Sequence, residues 1–329
     1  MSASIKDVAK LAGVSVATVS RALSGGPVSA ALRVRVEEAA AACGYRPNLS
    51  ARRLRSQHSR TVGLIVSDIR NPFFTAVSRA VEDVAYQAGM RVILCNTDED
   101  PAKEAMYLRL MQEERVGGVI LAATREGGTT QTLAGLGFPV VLIDRAGDGG
   151  CDAVQLDNHG ASGMLVRHLL EQGYRRIGGL FGNTSTTGAE RCAGFLAAMR
   201  AAGLEGEARF VAPSQEAAQA ELGGWLASGR APEALLASNG LLLLGALRAV
   251  RAAGMRLPDD LALAGFDNDS WTELAGPGLT VIEQPVLDIG QSAMQMLLER
   301  LRQPERPARK VVLSGRLVAR ASSLRGGSA

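Results

Sequence analysis

The chain has 329 residues, 47% of them hydrophobic and 21% charged, with a net charge of +3 at pH 7. That length suits two ordinary cores plus a small module, and the apolar content excludes wholesale disorder. No apolar run approaches the ~20 residues of a membrane helix, and the polar opening "MSASIKDVAK" has no apolar export segment, which predicts a cytoplasmic protein that does not engage a membrane.

The net charge hides an asymmetry. Residues 1–60 carry ten basic and three acidic side chains, a balance of +7 that leaves −4 on residues 61–329. A basic arm on a mildly acidic body is the composition of a polyanion-binding module joined to something else. The plain alternative is a solvated charged face, and it is weakened because so few acids answer the bases. The four cysteines, Cys43, Cys95, Cys151 and Cys192, are widely spaced without a CxxC pair. They read as small core hydrophobes in a reducing compartment.

Residues 1–46 predict three short helices. Ser4 can cap a helix over residues 5–12, with Asp7 reaching back as in a capping box, and Ile5, Val8, Ala9, Leu11 and Ala12 as its inner stripe. Gly13 then supplies a tight turn. Ser15 can cap a second helix, "VATVSRAL", whose Val19, Ala22 and Leu23 face inward. After "SGGPVS", Ser29 starts a third helix that stops at Gly44. Two short helices joined by a glycine-containing turn and braced by a third have helix-turn-helix spacing. Residues 47–60 follow as a linker: Pro47 breaks the third helix, and "SARRLRSQ" can form one basic helical turn.

From residue 61 the pattern changes to apolar strands alternating with helices. "TVGLIVSD", "MRVILCN", "VGGVILAAT" and "FPVVLIDR" are strands in a first run. "RIGGLFGN", "ARFVAP", "EALLASNG" and "LALAGFDN" are strands in a second. Near-continuous apolar strands between helices mean parallel sheets covered on both faces. "RTVGLIVSD" matches "RRIGGLFGN", "VGGVILAAT" matches "EALLASNG", and "PVVLIDR" matches "LALAGFDN". The core therefore reads as two Rossmann-like subdomains, with the tail returning one helix and one strand to the first.

Ligands of open parallel sheets bind beyond the carboxyl ends of the strands. There the sequence places Ser67, Asp68 and Asn71, then Thr124 and Arg125, then Asp144 and Arg145. The second run adds Asn183, Asn239 and Asp267, with Arg191 on the adjoining helix. Carboxylates, amides and guanidinium groups bind hydroxyls, and arginine binds carboxylates or phosphates. Phe73, Phe74 and Trp271 lie close by and can pack on the apolar face of a sugar. Asp144, Asp267 and Asn239 have a simpler use, as caps of the turns and helices that follow them. No GxSxG, P-loop or GxGxxG spacing is present. His58, His159 and His168 form no metal pattern, and no nucleophile–base pair can be assembled. The residues thus predict neither an enzyme nor a cofactor.

Several motifs in order resemble the LacI/GalR family of bacterial transcription regulators: "IKDVAKLAGVSVATVSRALSG", "YRPNLSARRLRS", "VGLIVSDIRNPFF", "VVLIDR", "RRIGGLFG", "ERCAGF", "GMRLPDDLALAGFDN" and "LTVIEQP". The resemblance implies a helix-turn-helix headpiece over 1–46, a hinge over 47–60, and a core like periplasmic binding proteins. In that core it implies an N-terminal subdomain of residues 61–157 and 285–318 and a C-terminal one of 158–284 and 319–329.

It further implies that Val16, Ala17 and Arg21 read bases in a major groove, while Ser15, Thr18, Ser20 and Asn48 hold phosphates. Ala51, Leu54 and Arg55 fall on the hinge helix, with Leu54 as a minor-groove wedge. Ser67, Asp144, Arg191, Asn239 and Asp267 fall at effector positions, to which the strand-end reading adds Asp68, Asn71, Phe74, Arg125, Arg145 and Trp271. The sequence "SNG" stands at 238–240 where many members have Asn-Asp.

The implied protein is a homodimeric repressor that binds a near-palindromic operator under control of a sugar or sugar acid, with text resembling the gluconate- and ketogluconate-sensing branch. No leucine heptads follow residue 320, which favours a dimer over a tetramer. A solute-binding protein of sugar transport would also have two such subdomains. An export signal and a neutral N-terminus would mark it.

Overall fold

The computed structural model describes residues 3–23, 26–45, 59–124, 133, 135–145 and 150–325. The chain divides into two compact units at the boundary between Ser59 and Arg60.

The first unit is helical: α1 (Ile5–Leu11), α2 (Val16–Leu23) and α3 (Ala30–Ala42). The capping reading holds. The Ser4 backbone N–H and Oγ donate to the Asp7 carboxylate at 2.8 and 2.7 Å, and Ser29 Oγ accepts from Leu32 N at 3.4 Å. The core is small and built from short side chains, with Val8, Val19 and Val36 fully buried between the helices. Leu11 departs from the predicted stripe: it is 59% exposed. Val8 and Ala12, four residues apart on one face, fill the inner side, and Leu11 lies round the helix from them.

In the second unit the strands are β1 (Thr61–Val66), β2 (Arg91–Asn96), β3 (Gly118–Leu121), β4 (Val140–Ile143), β5 (Asp152–Leu156), β6 (Ile177–Gly182), β7 (Glu207–Val211), β8 (Ala234–Ala237), β9 (Ala262–Phe266), β10 (Thr280–Glu283), β11 (Lys310–Leu313) and β12 (Arg316–Val318). The helices are α4 (Pro72–Gln87), α5 (Pro101–Glu113), α6 (Asn158–Glu171), α7 (Thr186–Ala201), α8 (Gln215–Ala227), α9 (Gly240–Ala252), α10 (Ser270–Leu274) and α11 (Val286–Arg302).

Two six-stranded sheets result, ordered β11-β5-β4-β3-β1-β2 and β12-β10-β9-β8-β6-β7. The strands matched by sequence, β1 with β6, β3 with β8 and β4 with β9, take the same positions in the two sheets. Among the described strands only β12 runs antiparallel, against β10. Apolar clusters cover both faces of each sheet. The first is packed by α4 and α11 on one side and α5 on the other, and the second by α6 and α7 opposite α8 and α9.

The chain passes between the subdomains after β5, after β10 and after β11. At the third crossing Gly315 lies so close to its neighbours that a Cβ would stand 2.6 Å from Ile282 Cγ2, so only glycine fits there. The tail departs from expectation at this point. Residues 316–318 already pair with β10 in the second sheet, so the return comes before residue 319 and "KVVLSGRLVAR" makes two strands in two sheets. Three elements escaped the pattern of apolar runs: β5, β10 and α10.

Candidate functional site

In the helical unit α2 packs against both α1 and α3 through Val19 and Ala22, and its opposite face is open. Ala17 and Arg21 are exposed there, and Val16, Thr18 and Ser20 are half-buried. Ser15 caps the helix: its Oγ accepts from Thr18 N at 3.1 Å and bonds the Thr18 hydroxyl at 2.8 Å. Arg21 lies along the helix, with Nε 3.4 Å from the Ala17 carbonyl. Arg33 Nη2 donates to Gly26 O at 3.0 Å and ties the following loop to α3. The outcome is a short helix with a small-residue face carrying one arginine. Asn48, Ala51, Leu54 and Arg55 lie outside the described residues, as does Arg125 in the core.

In the α/β unit a cleft opens between the two subdomains at the strand ends. Two aspartates frame it. Asp144 follows β4 and Asp267 follows β9, the matched strands, and both hold left-handed backbones at φ 64° and 77°. Aspartate tolerates this region better than most residues. Asp144 Oδ2 accepts from Thr187 Oγ1 at 3.2 Å, across the subdomain boundary. Asp267 Oδ2 accepts from Gly240 N, the first residue of α9, at 2.8 Å, and its Oδ1 accepts from Gln284 Nε2 at 2.6 Å. A Cβ on Gly240 would stand 3.3 Å from Asp267 Cβ and Oδ2. The glycine at 240 therefore lets Asp267 seat against the helix N-terminus, where an anion is favoured. Asn239 caps the same helix through Oδ1, 2.8 Å from Leu242 N, which leaves its amide nitrogen as the donor it can offer.

Two arginines line the cleft and both are buried. Arg191 donates from Nε to Asn158 Oδ1 at 2.8 Å and from Nη1 to the Ser238 carbonyl at 2.5 Å, and stacks 4.0 Å from the Phe266 ring centre. No ion pair to Arg191 occurs among the described residues. Burial holds its pKa below the usual guanidinium range, against the opposing pull of Asp267 and Asp144. Arg145 is bound differently: Nη1 meets Glu99 Oε2 at 2.8 Å while Nη2 meets Glu99 Oε1. Burial disfavours its charge, yet Glu99, Asp144 and Glu104 hold its pKa above the ordinary value. Burial, with Asp267 nearby, pushes the Asp269 carboxyl above the carboxylate range.

The predicted residues divide accordingly. Asp68, Asn71, Phe74, Asp144, Arg145, Arg191, Asn239 and Asp267 come together on the cleft wall, with Phe73 beside them. Asp68 is already paired, accepting from Arg70 Nε and Nη2 at 2.9 Å each, and Asn71 caps α4 through Phe73 N. Ser67 lies beneath the wall, fully buried, its Oγ 3.4 Å from the Ala122 carbonyl. Trp271 is not on the wall: α10 turns its ring onto the α8–α9 core, with Nε1 3.3 Å from Asp269 Oδ2. Asn183 is exposed and also off the wall. Glu99, Thr187 and Gln284 line the cleft without having been singled out. Each follows a strand, β2, β6 or β10, but "NTDEDP" after β2 reads as a solvated acidic turn and β10 escapes the pattern of apolar runs.

Comparison with known proteins decides the lineage. The profile of "Bacterial regulatory proteins, lacI family" matches residues 4–48, and that of a periplasmic binding protein-like domain matches residues 166–323. The HTH-type transcriptional regulator DegA of Bacillus subtilis is 32% identical over 98% of each chain. The chain belongs to the LacI family of bacterial regulatory proteins. Another similar protein, the ribose operon repressor of Halalkalibacterium halodurans, is 35% identical over 96% of each chain. A transcriptional regulator CelR–cellobiose complex superimposes with a TM-score of 0.74 at 28% identity, covering 97% of this chain and 99% of that one.

The LacI-family chain is thus a DNA-binding transcriptional regulator, and its relatives are regulators rather than enzymes or transport proteins. Among the described residues, no helix is long and apolar enough to cross a membrane, and no cluster of His, Cys, Asp and Glu could hold a metal ion.

Proposed function

We propose that this regulator is a cytoplasmic homodimeric repressor that binds a near-palindromic operator and is controlled by a sugar-type effector in the cleft. One observation carries the reading. A basic helix-turn-helix unit is followed by a core whose matched strand ends aim Asp144 and Asp267 into one cleft, with a buried Arg191 that has no carboxylate partner among the described residues. Paired aspartates accept from adjacent hydroxyls, Arg191 and Asn239 donate to them, and Phe73 and Phe74 cover an apolar ring face. The similar CelR structure holds cellobiose.

On the DNA side, Arg21 donates to guanine O6 and N7, Val16 touches a thymine methyl, and Ala17 permits close approach. Ser15, Thr18, Ser20 and Asn48 fix register on phosphates. Ala51, Leu54 and Arg55 enter the minor groove between two half-sites. So few base contacts per headpiece require a second copy for specificity. Coupling between effector and operator is expected at ~1–3 kcal/mol, reciprocal between the two sites. Selection of duplexes from a random pool tests the DNA half: the purified protein is expected to enrich a palindrome with strongly salt-dependent affinity. Equal affinity for the enriched and random pools would refute it.

A further inference from the structure

We infer that Glu99 sets the charge class of the effector: it keeps Arg145 closed to anions, so the cleft takes an uncharged polyhydroxylated sugar and turns away a sugar acid of similar size. This rests on the cleft being the effector site, as proposed above.

The observations are geometric. A ligand carboxylate is best received by the flat edge of a guanidinium, which offers two parallel N–H groups. On Arg145 that edge is occupied by both oxygens of Glu99, and Nη1 also reaches the Ala123 carbonyl at 2.5 Å. The pair is nearly enclosed, with side-chain exposures of 5% for Arg145 and 16% for Glu99. Glu104, behind it, accepts from Thr124 N at 2.6 Å, and Arg145 Nε, which makes no hydrogen bond among the described residues, faces the Asp144 carboxylate at 3.4 Å.

The loop carrying Glu99 is built to hold it there. Asp98 and Glu99 both take left-handed backbones, at φ 53° and 60°. Such residues persist only where their surroundings fix them. Asp98 accepts from Asn96 Nδ2 at 2.7 Å and Lys103 Nζ at 2.5 Å, and Asp100 caps α5 through Ala102 N at 2.8 Å. Glu99 therefore stands between two anchored neighbours.

A carboxylate received by Arg145 would have to expel Glu99 and then sit among Asp68, Asp144 and Asp267. Among the described residues the wall holds four carboxylates, Glu99 included, against two guanidinium groups. Among the described wall residues Arg191 is the remaining cation, and its Nε and Nη1 already donate to Asn158 Oδ1 and the Ser238 carbonyl. Hydroxyl groups meet none of this repulsion and use the same donors and acceptors.

Calorimetric titration of the full-length protein tests the inference. The neutral probes are ribose, xylose, glucose and cellobiose, and the acidic ones gluconate, 2-ketogluconate and glucuronate. The wild type is expected to bind a neutral sugar at least tenfold more tightly than any acid. Glu99→Gln is expected to gain at least tenfold in affinity for an acid while its neutral-sugar affinity changes less than threefold. A wild type that prefers an acid overturns the inference, as does a Glu99→Gln protein that still binds the neutral sugar and gains nothing. Should Glu99→Gln alone not fold, the double variant Glu99→Gln/Arg145→Gln replaces the ion pair by two amides. It should gain no acid affinity over the wild type, because the guanidinium that Glu99 covered is gone, and a tenfold gain would refute the assignment. If neither class binds the wild type, the effector reading of the cleft falls and this inference with it.

Discussion

The two subdomains share one sheet order and settle their buried charges in different ways. The first closes them within itself. Arg145 is paired with Glu99, and at the start of β5 the buried Asp152 is paired with Arg300 at 3.0 Å and Arg309 at 3.8 Å. The second uses neutral partners, for Arg191 on α7 and at the start of β10. Arg191 is held by an amide oxygen and a carbonyl. At the start of β10, Thr280 joins Ser323, whose hydroxyl bonds His168 Nε2 at 2.8 Å. A charge neutralised by a neighbour is a structural part, whereas a buried charge held only by dipoles still has strong interactions to offer. On the proposals above, the second subdomain's arginine is the one that receives the ligand, and the first subdomain's ion pairs serve as scaffold and filter.

Breaking the first subdomain's scaffold should have the largest effect. Removing one member of a buried ion pair leaves an uncompensated charge, about 3–5 kcal/mol in well-buried cases. Arg309 is 35% exposed and screens part of that. Asp152→Ala is therefore expected to lower stability by roughly 3 kcal/mol, read as a fall in urea midpoint without a change in slope. Arg191→Met should leave operator affinity within threefold and weaken the effector at least ~100-fold, because two charge-assisted bonds are lost. Unchanged effector binding in Arg191→Met would reverse the assignment of the two arginines.

The framing aspartates sharpen the contrast further. Asp267 accepts from the α9 N-terminus and from Gln284, whereas among the described residues the Asp144 carboxylate accepts from Thr187 Oγ1 alone and lies 3.4 Å from Arg145 Nε. Asp267→Asn is expected to cost about 2 kcal/mol of stability and Asp144→Asn less than ~1 kcal/mol, while each weakens the effector roughly tenfold. Equal losses of stability would mean that the helix terminus adds nothing.

The smallest effect concerns His168. Burial lowers its pKa below the ordinary value, so the unfolded chain takes up the proton first as pH falls. Stability from this group is complete above the unfolded value of ~6.5 and is lost below it. The melting midpoint of the wild type should decline between pH 7.5 and 5.5, and His168→Gln should decline less steeply. Parallel slopes would remove His168 from the account.

Much of the fold was legible because its strands are unbroken apolar runs, and the matched motifs fell on matched strands. β5 was not, because "CDAVQL" carries Asp152 and Gln155 into the interior, where an ion pair makes the aspartate tolerable. The tail was misdivided because Gly315 turns the chain between two sheets in a stretch that reads as one strand. In the cleft, Asp144, Asp267 and Asn239 followed from strand ends, and Arg191 from the helix adjoining one of them. Glu99 did not, since "NTDEDP" reads as a solvated acidic turn unless the left-handed backbone of two successive residues is known. Trp271 was drawn in by proximity in sequence, and a five-residue helix rotates it away. Leu11 was drawn in by helical period on the small headpiece, where Val8 and Ala12 already fill the inner face.

The central claim is that a neutral sugar bound beside Arg191 and the operator report on one another. Fluorescence anisotropy of a selected palindromic duplex, titrated with protein at fixed salt with and without saturating sugar, measures that coupling directly. The account predicts a shift of roughly 5- to 150-fold in operator affinity for the wild type and no shift for Arg191→Met. Superimposable curves for the wild type with a sugar known by calorimetry to be bound would contradict it.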